Sequence, residues 1–376
     1  MGSQTKTKET KMGLKCGIVG LTNSGKTTMF NCISNTKAAV TDFAYSTNKS
    51  NIGVCPVPDE RLANIDTFIK ADKLIYATLD VVDIPGLAKG ASQGEGIGNS
   101  FLADVRLCDA LIHVLRCFDN ENLPHVEGSV DPVRDIEIVD FELQVKDLEQ
   151  INKKMLKVEK AVKAGEKTAK HDYEVLQKYK AHLENFQNVR TMEATPEEKA
   201  VVSDMMLLTE KPMMFVCNVN DTDAVNGNAY VDSVREYLKD KDAEMLVIAA
   251  KIEAEIAELE SAEDRAEFLR DAGLNEPGVN KVIQAAYKML NLISFFTVGG
   301  KENRAWTIRK GMLAPQAAGV IHSDLERGFI RAEVIKYAVL VQLGSELKCK
   351  EAGKLAVEGK NYEVQDGDIL HIRFNV

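Results

Sequence analysis

The octet Gly20-Leu-Thr-Asn-Ser-Gly25-Lys26-Thr27 satisfies the phosphate-loop spacing Gly-x-x-x-x-Gly-Lys-Ser/Thr in full. Its two glycines let the backbone turn tightly enough for its amides to surround phosphate oxygens. Lys26 has the reach and charge for the β- and γ-phosphates, and the Thr27 hydroxyl suits magnesium. Asn23, Ser24, Gly25, Lys26, Thr27 and Thr28 are therefore candidate nucleotide contacts, with Lys26 also a candidate catalytic group. An apolar run at 14–19 precedes the loop, and Met29, Phe30 and Ile33 follow it at helical spacing. The loop thus joins a strand to a helix whose positive end faces the anion. This is chemistry for a nucleoside triphosphate held with magnesium.

Further along, Leu79-Asp-Val-Val-Asp83-Ile-Pro-Gly86 runs an apolar strand into Asp-x-x-Gly. A switch GTPase uses this arrangement to hold magnesium through a water and to sense the γ-phosphate with the glycine amide. Asp83 joins Thr27 as a candidate metal ligand, and Gly86 as a nucleotide contact. The glycine-rich stretch 89–98 reads as a mobile switch. Leu87 stands where Ras-like enzymes place a water-orienting glutamine. An alkyl side chain cannot orient water, so hydrolysis needs another group. Thr47 is a candidate for the magnesium shell, with a capping or turn role equally open.

A later apolar run ends in Asn218-Val219-Asn220-Asp221, the place where GTPases carry Asn-Lys-x-Asp. The acid of that motif accepts from the guanine N1 and N2 donors, and its lysine flanks the ring. Val219 replaces the lysine, while Asp221 keeps the acid. Ile248-Ala-Ala250-Lys251 resembles the Ser-Ala-Lys strand end that closes the base pocket. His113, inside the apolar run 111–115, reads as buried and inert.

Strand candidates at 14–19, 78–82, 110–115, 212–218 and 243–249 must position these groups. Amphipathic segments separate most of them, which predicts an α/β fold, a mostly parallel sheet with helices on both faces. The interval before 212 is too long for a simple crossover. Leu148, Ile151, Met155, Val158 and Val162 form one helical seam there, Gly165 breaks it, and Leu176, Tyr179, Leu183 and Phe186 form a second. The pattern predicts an inserted helical hairpin, its lysines and glutamates forming solvated faces or, in part, a surface for RNA. Thr195-Pro-Glu-Glu signals another helix start. The tail beyond about 294 reads as a separate α+β module, with strands at 295–298, 305–308, 337–341 and 369–374 and a helix at 325–335.

With 376 residues the chain can hold two or three domains. No apolar run approaches the roughly 20 residues of a membrane helix, and the net charge of −10 argues against adhesion to a membrane. The polar, basic residues 1–12 read as a disordered tail. Seven scattered cysteines without a Cys-x-x-Cys pair argue for reduced thiols and a cytoplasmic setting. A net charge of −10 argues against bulk adhesion to nucleic acid, leaving room for a local basic patch.

Taken in order, these motifs resemble the Obg-like ATPases of the YchF type, relatives of the translation-factor P-loop GTPases. Lys15-Cys-Gly-Ile-Val-Gly20, Gly94-Glu-Gly-Ile-Gly-Asn-Ser-Phe-Leu102, Arg116-Cys-Phe118 and Ala314-Pro-Gln-Ala-Ala-Gly319 carry the resemblance, which extends over nearly the whole chain. It implies a G domain at 13–134 and 206–292, a coiled-coil insertion at 135–205, and a β-grasp-like TGS domain at 293–376. It also implies ATP in preference to GTP, with the Asn218 side chain and the backbone near Val219 against adenine and Phe118 packing nearby. The family carries Glu where Asp221 stands. A histidine matching His125 takes the place of the missing glutamine, although a loop histidine can equally be structural. Asn23 matches a position that helps related enzymes hold potassium. The expected partners are ATP, the ribosome or ribosomal RNA, and proteins reaching the coiled coil or TGS domain. The expected activity is magnesium-dependent ATP hydrolysis acting as a switch linked to translation or stress. A nucleotide-gated binding protein with incidental turnover is the rival, and a metabolic kinase a weaker third.

Overall fold

The structure, a computed structural model, describes residues 14–34, 50–86 and 98–375. Two compact units result: the described residues up to Gly53 with Asp80–Asn275, and Val54–Leu79 with Glu276–Val376.

In the first unit, strands β1 (Lys15–Val19), β2 (Asn51–Pro56), β4 (Thr78–Asp83), β5 (Ala110–Arg116), β6 (Met213–Asn218) and β7 (Met245–Ile248) form a sheet in the order β2-β4-β1-β5-β6-β7. The chain leaves this unit along β2 and returns along β4. The pairs β1/β4, β1/β5, β5/β6 and β6/β7 are all parallel. Every residue of β5 and β6 is buried, as a central parallel strand covered on both faces requires. Helices α1 (Lys26–Ser34), α3 (Gly98–Arg106), α7 (Ala229–Leu238) and α8 (Ala250–Glu258) belong to this unit, and α1 packs against α8. Register gathers the chemistry at one edge of the sheet. Ile18 pairs with Asp83, Arg116 with Asn218, and Asn218 with Ile248, so the strand ends carrying the reactive groups lie side by side. Ligands of open α/β sheets bind outside those carboxyl ends.

The hairpin predicted between β5 and β6 is present. Helix α4 (Pro132–Lys163) begins with Asp131 accepting from the Arg134 amide and Pro132 in the first turn. At 1.5 Å per residue its 32 residues span about 48 Å. Helix α5 (Ala169–Glu184) returns along it, and Ile151, Val175, Leu176, Tyr179 and Leu183 form a small core of their own. The Thr195 capping box closes the start of α6 (Pro196–Val202), with Thr195 accepting from the Glu198 amide and Glu198 accepting from Thr195 N–H. One seam position is corrected. Phe186 lies beyond α5 in left-handed backbone at φ 57°, 73% exposed and stacked on Phe141. Its apolar side chain continued the helical spacing past the point where the helix ends.

In the second unit, β3 (Lys73–Ile75), β8 (Leu292–Thr297), β9 (Glu302–Arg309), β10 (Phe329–Lys336), β11 (Ala356–Glu358) and β12 (Asp368–Phe374) form a mixed sheet, ordered β11-β10-β12-β8-β9-β3. Helix α2 (Glu60–Phe68) and the helix Ala314–Ile321 pack against β9. Residues 54–79 thus pack with the C-terminal residues, a partnership absent from the sequence-based boundaries. Buried Asn303 anchors it, donating to Asp66 Oδ1 at 3.0 Å and to the Ile69 carbonyl at 2.6 Å. Two tail assignments are corrected. The predicted helix at 325–335 is mostly β10, paired antiparallel with β11 and β12. The predicted strand at 337–341 is the helix Tyr337–Leu343, ended by Gly344 at φ 78°.

Candidate functional site

Outside the carboxyl ends of β1 and β4, the loop 20–25 turns with Gly20 at φ 147°, Asn23 at φ 62° and Gly25 at φ 98°. A Cβ on Gly25 would sit 2.3 Å from Asn218 Nδ2, and one on Gly20 would lie 2.4 Å from the Val114 carbonyl, so only glycine fits either place. The Gly25 carbonyl accepts from Met29 N–H, opening α1, which Thr28 continues.

Lys26 is buried, and its ammonium donates to the Leu21 carbonyl at 2.6 Å. Burial lowers its pKa to about 8, partly opposed by Asp83. Thr27 Oγ1 donates to Asp83 Oδ2 at 3.0 Å. Burial pushes the Asp83 carboxyl above the usual range, against the pull of Lys26, Thr27 and Asn51. Asp83 Oδ1 and Ser24 Oγ are buried without a hydrogen-bond partner among the described residues. Orphaned buried oxygens of this kind are costly unless a ligand completes them. The orphan carboxylate oxygen beside the Thr27 hydroxyl fits a hard, oxygen-seeking cation such as magnesium. Gly86 lies against the loop, since a Cβ there would meet Thr22 Cγ2 at 2.7 Å and Lys26 Nζ at 3.2 Å. The fold therefore brings Ser24, Gly25, Lys26, Thr27, Asp83 and Gly86 together. Thr47, Leu87 and most of the 89–98 switch lie outside the described residues.

On the base side, Asn218 is a tie. Its Nδ2 donates to the Ser24 carbonyl and its Oδ1 accepts from the Ala250 amide, each at 3.0 Å. The amide thereby fixes the phosphate loop to the start of α8, and its two polar atoms are committed to that task. Val219 is buried in the apolar core, so its side chain supplies no cation where the GTPase lysine stands. Asp221 Oδ2 accepts from Lys251 Nζ at 2.9 Å. Phe118, half-buried, carries the Arg116 guanidinium over its ring at 5.0 Å.

His125 is held by Asp135. Its Nε2 lies 3.0 Å from Asp135 Oδ2, its Nδ1 accepts from Glu127 N–H at 3.1 Å, and both side chains of the pair are 3% exposed. The adjoining residue does reach the phosphate loop, for Asn23 Nδ2 donates to the Pro124 carbonyl at 3.1 Å. Asn23 thus spends its amide nitrogen on this loop. His113 is buried as expected, with neither ring nitrogen partnered among the described residues and its pKa pushed down by burial to about 3.

Two residues were given no role by the sequence reading. Arg116 donates from Nε to the Phe118 carbonyl at 3.1 Å and from Nη1 to the Leu123 carbonyl at 2.8 Å, shaping the loop that carries His125. Asp135 holds the histidine itself. An arginine ending a buried, mostly apolar strand was a visible signal for the first. An acid in the first turn of a helix was none for the second, because helix starts favour acids regardless of function.

Comparison with known proteins identifies the family. Residues 15–164 match a family model described as 50S ribosome-binding GTPase. Residues 292–375 match the YchF-GTPase C-terminal family, described as a protein of unknown function. The chain is 46% identical over 365 residues to the Ribosome-binding ATPase YchF of Haemophilus influenzae, covering 97% of this chain and 100% of that one. It is 44% identical over 367 residues to the protein of the same name from Bacillus subtilis, with the same coverage. The solved YchF GTPase of Schizosaccharomyces pombe superimposes with a TM-score of 0.85 at 34% identity, covering 98% of this chain and 100% of that one. With a phosphate loop, its Asp-x-x-Gly partner and full-length likeness of this strength, the chain belongs to the YchF family.

Proposed function

We propose that this protein hydrolyses ATP to ADP and phosphate with magnesium, GTP being the weaker substrate, as a nucleotide-controlled switch working on the ribosome in the cytoplasm. One observation carries the reading: Lys26, Thr27 and Asp83 meet at the strand ends, and the Asp83 Oδ1 oxygen has no partner among the described residues. The names of the relatives, ribosome-binding ATPases, supply the nucleotide and the partner. The base side supports ATP. Val219 offers no cation to flank guanine, and Asp221, the acid that would accept from guanine, is engaged by Lys251.

Lys26 moves from the Leu21 carbonyl to the β- and γ-phosphates, and the loop amides bind the phosphate oxygens. Asn218 keeps the loop in place, and the backbone beside Val219 and Ala250, with Phe118, forms the base pocket. Thr27, Asp83 and Thr47 would hold magnesium, whose charge would offset that of the phosphates. His125 orients the attacking water once it leaves Asp135. The hairpin at 135–205 and the TGS domain at 293–376 are the parts that meet ribosomal RNA and proteins. Purified protein should release phosphate from ATP, and Lys26→Ala should not. Paired calorimetric titrations should give the tighter constant for ATP. Tighter GTP binding would sink the adenine assignment.

The rival, a nucleotide-gated ribosome-binding protein with incidental turnover, is favoured by one observation: both ring nitrogens of His125 are occupied. Ribosome association that follows nucleotide identity, in cells where His125→Ala still functions, would select it.

A further inference from the structure

Three separate elements grip the segment 118–128. Arg116, at the end of β5, holds the Phe118 and Leu123 carbonyls. Asn23 of the phosphate loop holds the Pro124 carbonyl. Asp135, in the first turn of α4, holds His125. Nδ1 of the histidine accepts from the Glu127 amide, which puts the ring proton on Nε2 and aims it at the carboxylate. An imidazole bonded in this way has no nitrogen left for a water.

Resting on the proposed role of His125, we infer that Asp135 is a positioning residue that restrains His125 from the attacking water, and that displacement of the α4 root releases it. Asp135 is buried, and burial raises its carboxyl pKa against the pull of His125 and Arg134. A charge-assisted bond in such a place is a strong restraint on one rotamer. The same helix continues unbroken from Pro132 to Lys163. A partner gripping the hairpin therefore acts on a rod whose first turn holds the histidine. The grip from Asn23 belongs to the nucleotide loop. Bound phosphates and a bound partner would thus pull on two adjacent residues, Pro124 and His125.

The test compares steady-state ATP turnover of the full chain with Asp135→Asn, Asp135→Ala, His125→Ala and the Asp135→Asn/His125→Ala double variant. Release of the restraint should raise basal kcat about tenfold with KM for ATP unchanged, and the double variant should fall to the His125→Ala level. Asp135 variants that melt like the unmodified protein yet show unchanged or lower kcat, beside an inactive His125→Ala, would overturn the inference alone. Full turnover by His125→Ala would overturn the role of His125 as well. Should both Asp135 variants fail to fold, exchange of the His125 Nε2 proton in the unmodified protein decides. Protection at rest that is lost when ribosomes accelerate turnover supports the restraint, and an unprotected proton at rest refutes it.

Discussion

An ammonium shut away from water gives up its proton more readily than one in solution. Lys26 is in that position, and its pKa of about 8 makes the phosphate loop sensitive to mild alkali. Triphosphate binding needs the charged form, so binding from the deprotonated state must take up a proton. Below pH 8 the lysine is already charged and affinity should be level. Above it the dissociation constant for ATP should rise by about tenfold per unit. Calorimetry at pH 8.5 in buffers of different ionisation enthalpy should show proton uptake that vanishes near pH 7. Affinity flat to pH 9.5 would exclude the shift. The residues of this loop could be read from sequence because glycine, lysine and threonine at fixed spacing leave one chemistry open. Asp135 could not, since its role depends on a histidine brought to it by the fold.

Among the elements, those with strong periodicity and their own core were legible. The strands bearing Asp83 and Asn218 and the two helices of the hairpin stem from burial on both faces and from a continuous apolar seam. The tail was less legible because its elements depend on partners distant in sequence. Residues 337–341 are rich in valine and leucine but form a helix that buries chiefly Leu340, and β10 carries charged residues on its exposed side yet pairs on both edges. Residues 54–79 gave no local sign that Asn303 would hold them. In the hairpin, Asp147 shows how a long helix is fixed at its middle. Its carboxylate accepts from the Leu208 and Thr209 amides at 2.8 Å and from Thr209 Oγ1 at 2.7 Å, all buried. Asparagine offers one acceptor oxygen and would turn a donor towards the other amide. Asp147→Asn should cost about 2–3 kcal/mol of stability, measured by urea unfolding. A loss under about 0.5 kcal/mol would show that solvent reaches these amides.

On the scale of the whole molecule, charge is distributed unevenly. The chain carries −10 overall, yet residues 153–170 at the hairpin tip hold seven lysines and two glutamates. Lys154 pairs with Asp204 and Lys163 with Glu159, while Lys153, Lys160, Lys167 and Lys170 are exposed and form no ion pair among the described residues. A favourable helix end accounts for lysines in the last turn of α4, but that effect fades within one turn and leaves Lys153 without a partner. Leu156 stands 63% exposed on the same stretch, so the tip keeps an apolar side chain in water among cations. Phosphate oxygens of ribosomal RNA would satisfy these groups, and each contact would release counterions. Ribosome co-sedimentation of the ATP-bound protein should therefore weaken steeply with salt. Replacing Lys153, Lys160, Lys167 and Lys170 by glutamine should reduce the log–log salt slope by about 3, with ATP turnover in the absence of ribosomes unchanged. A slope unaltered by the four substitutions would place the RNA contact elsewhere. Weaker binding with an unaltered slope would mean that the tip meets a ribosomal protein.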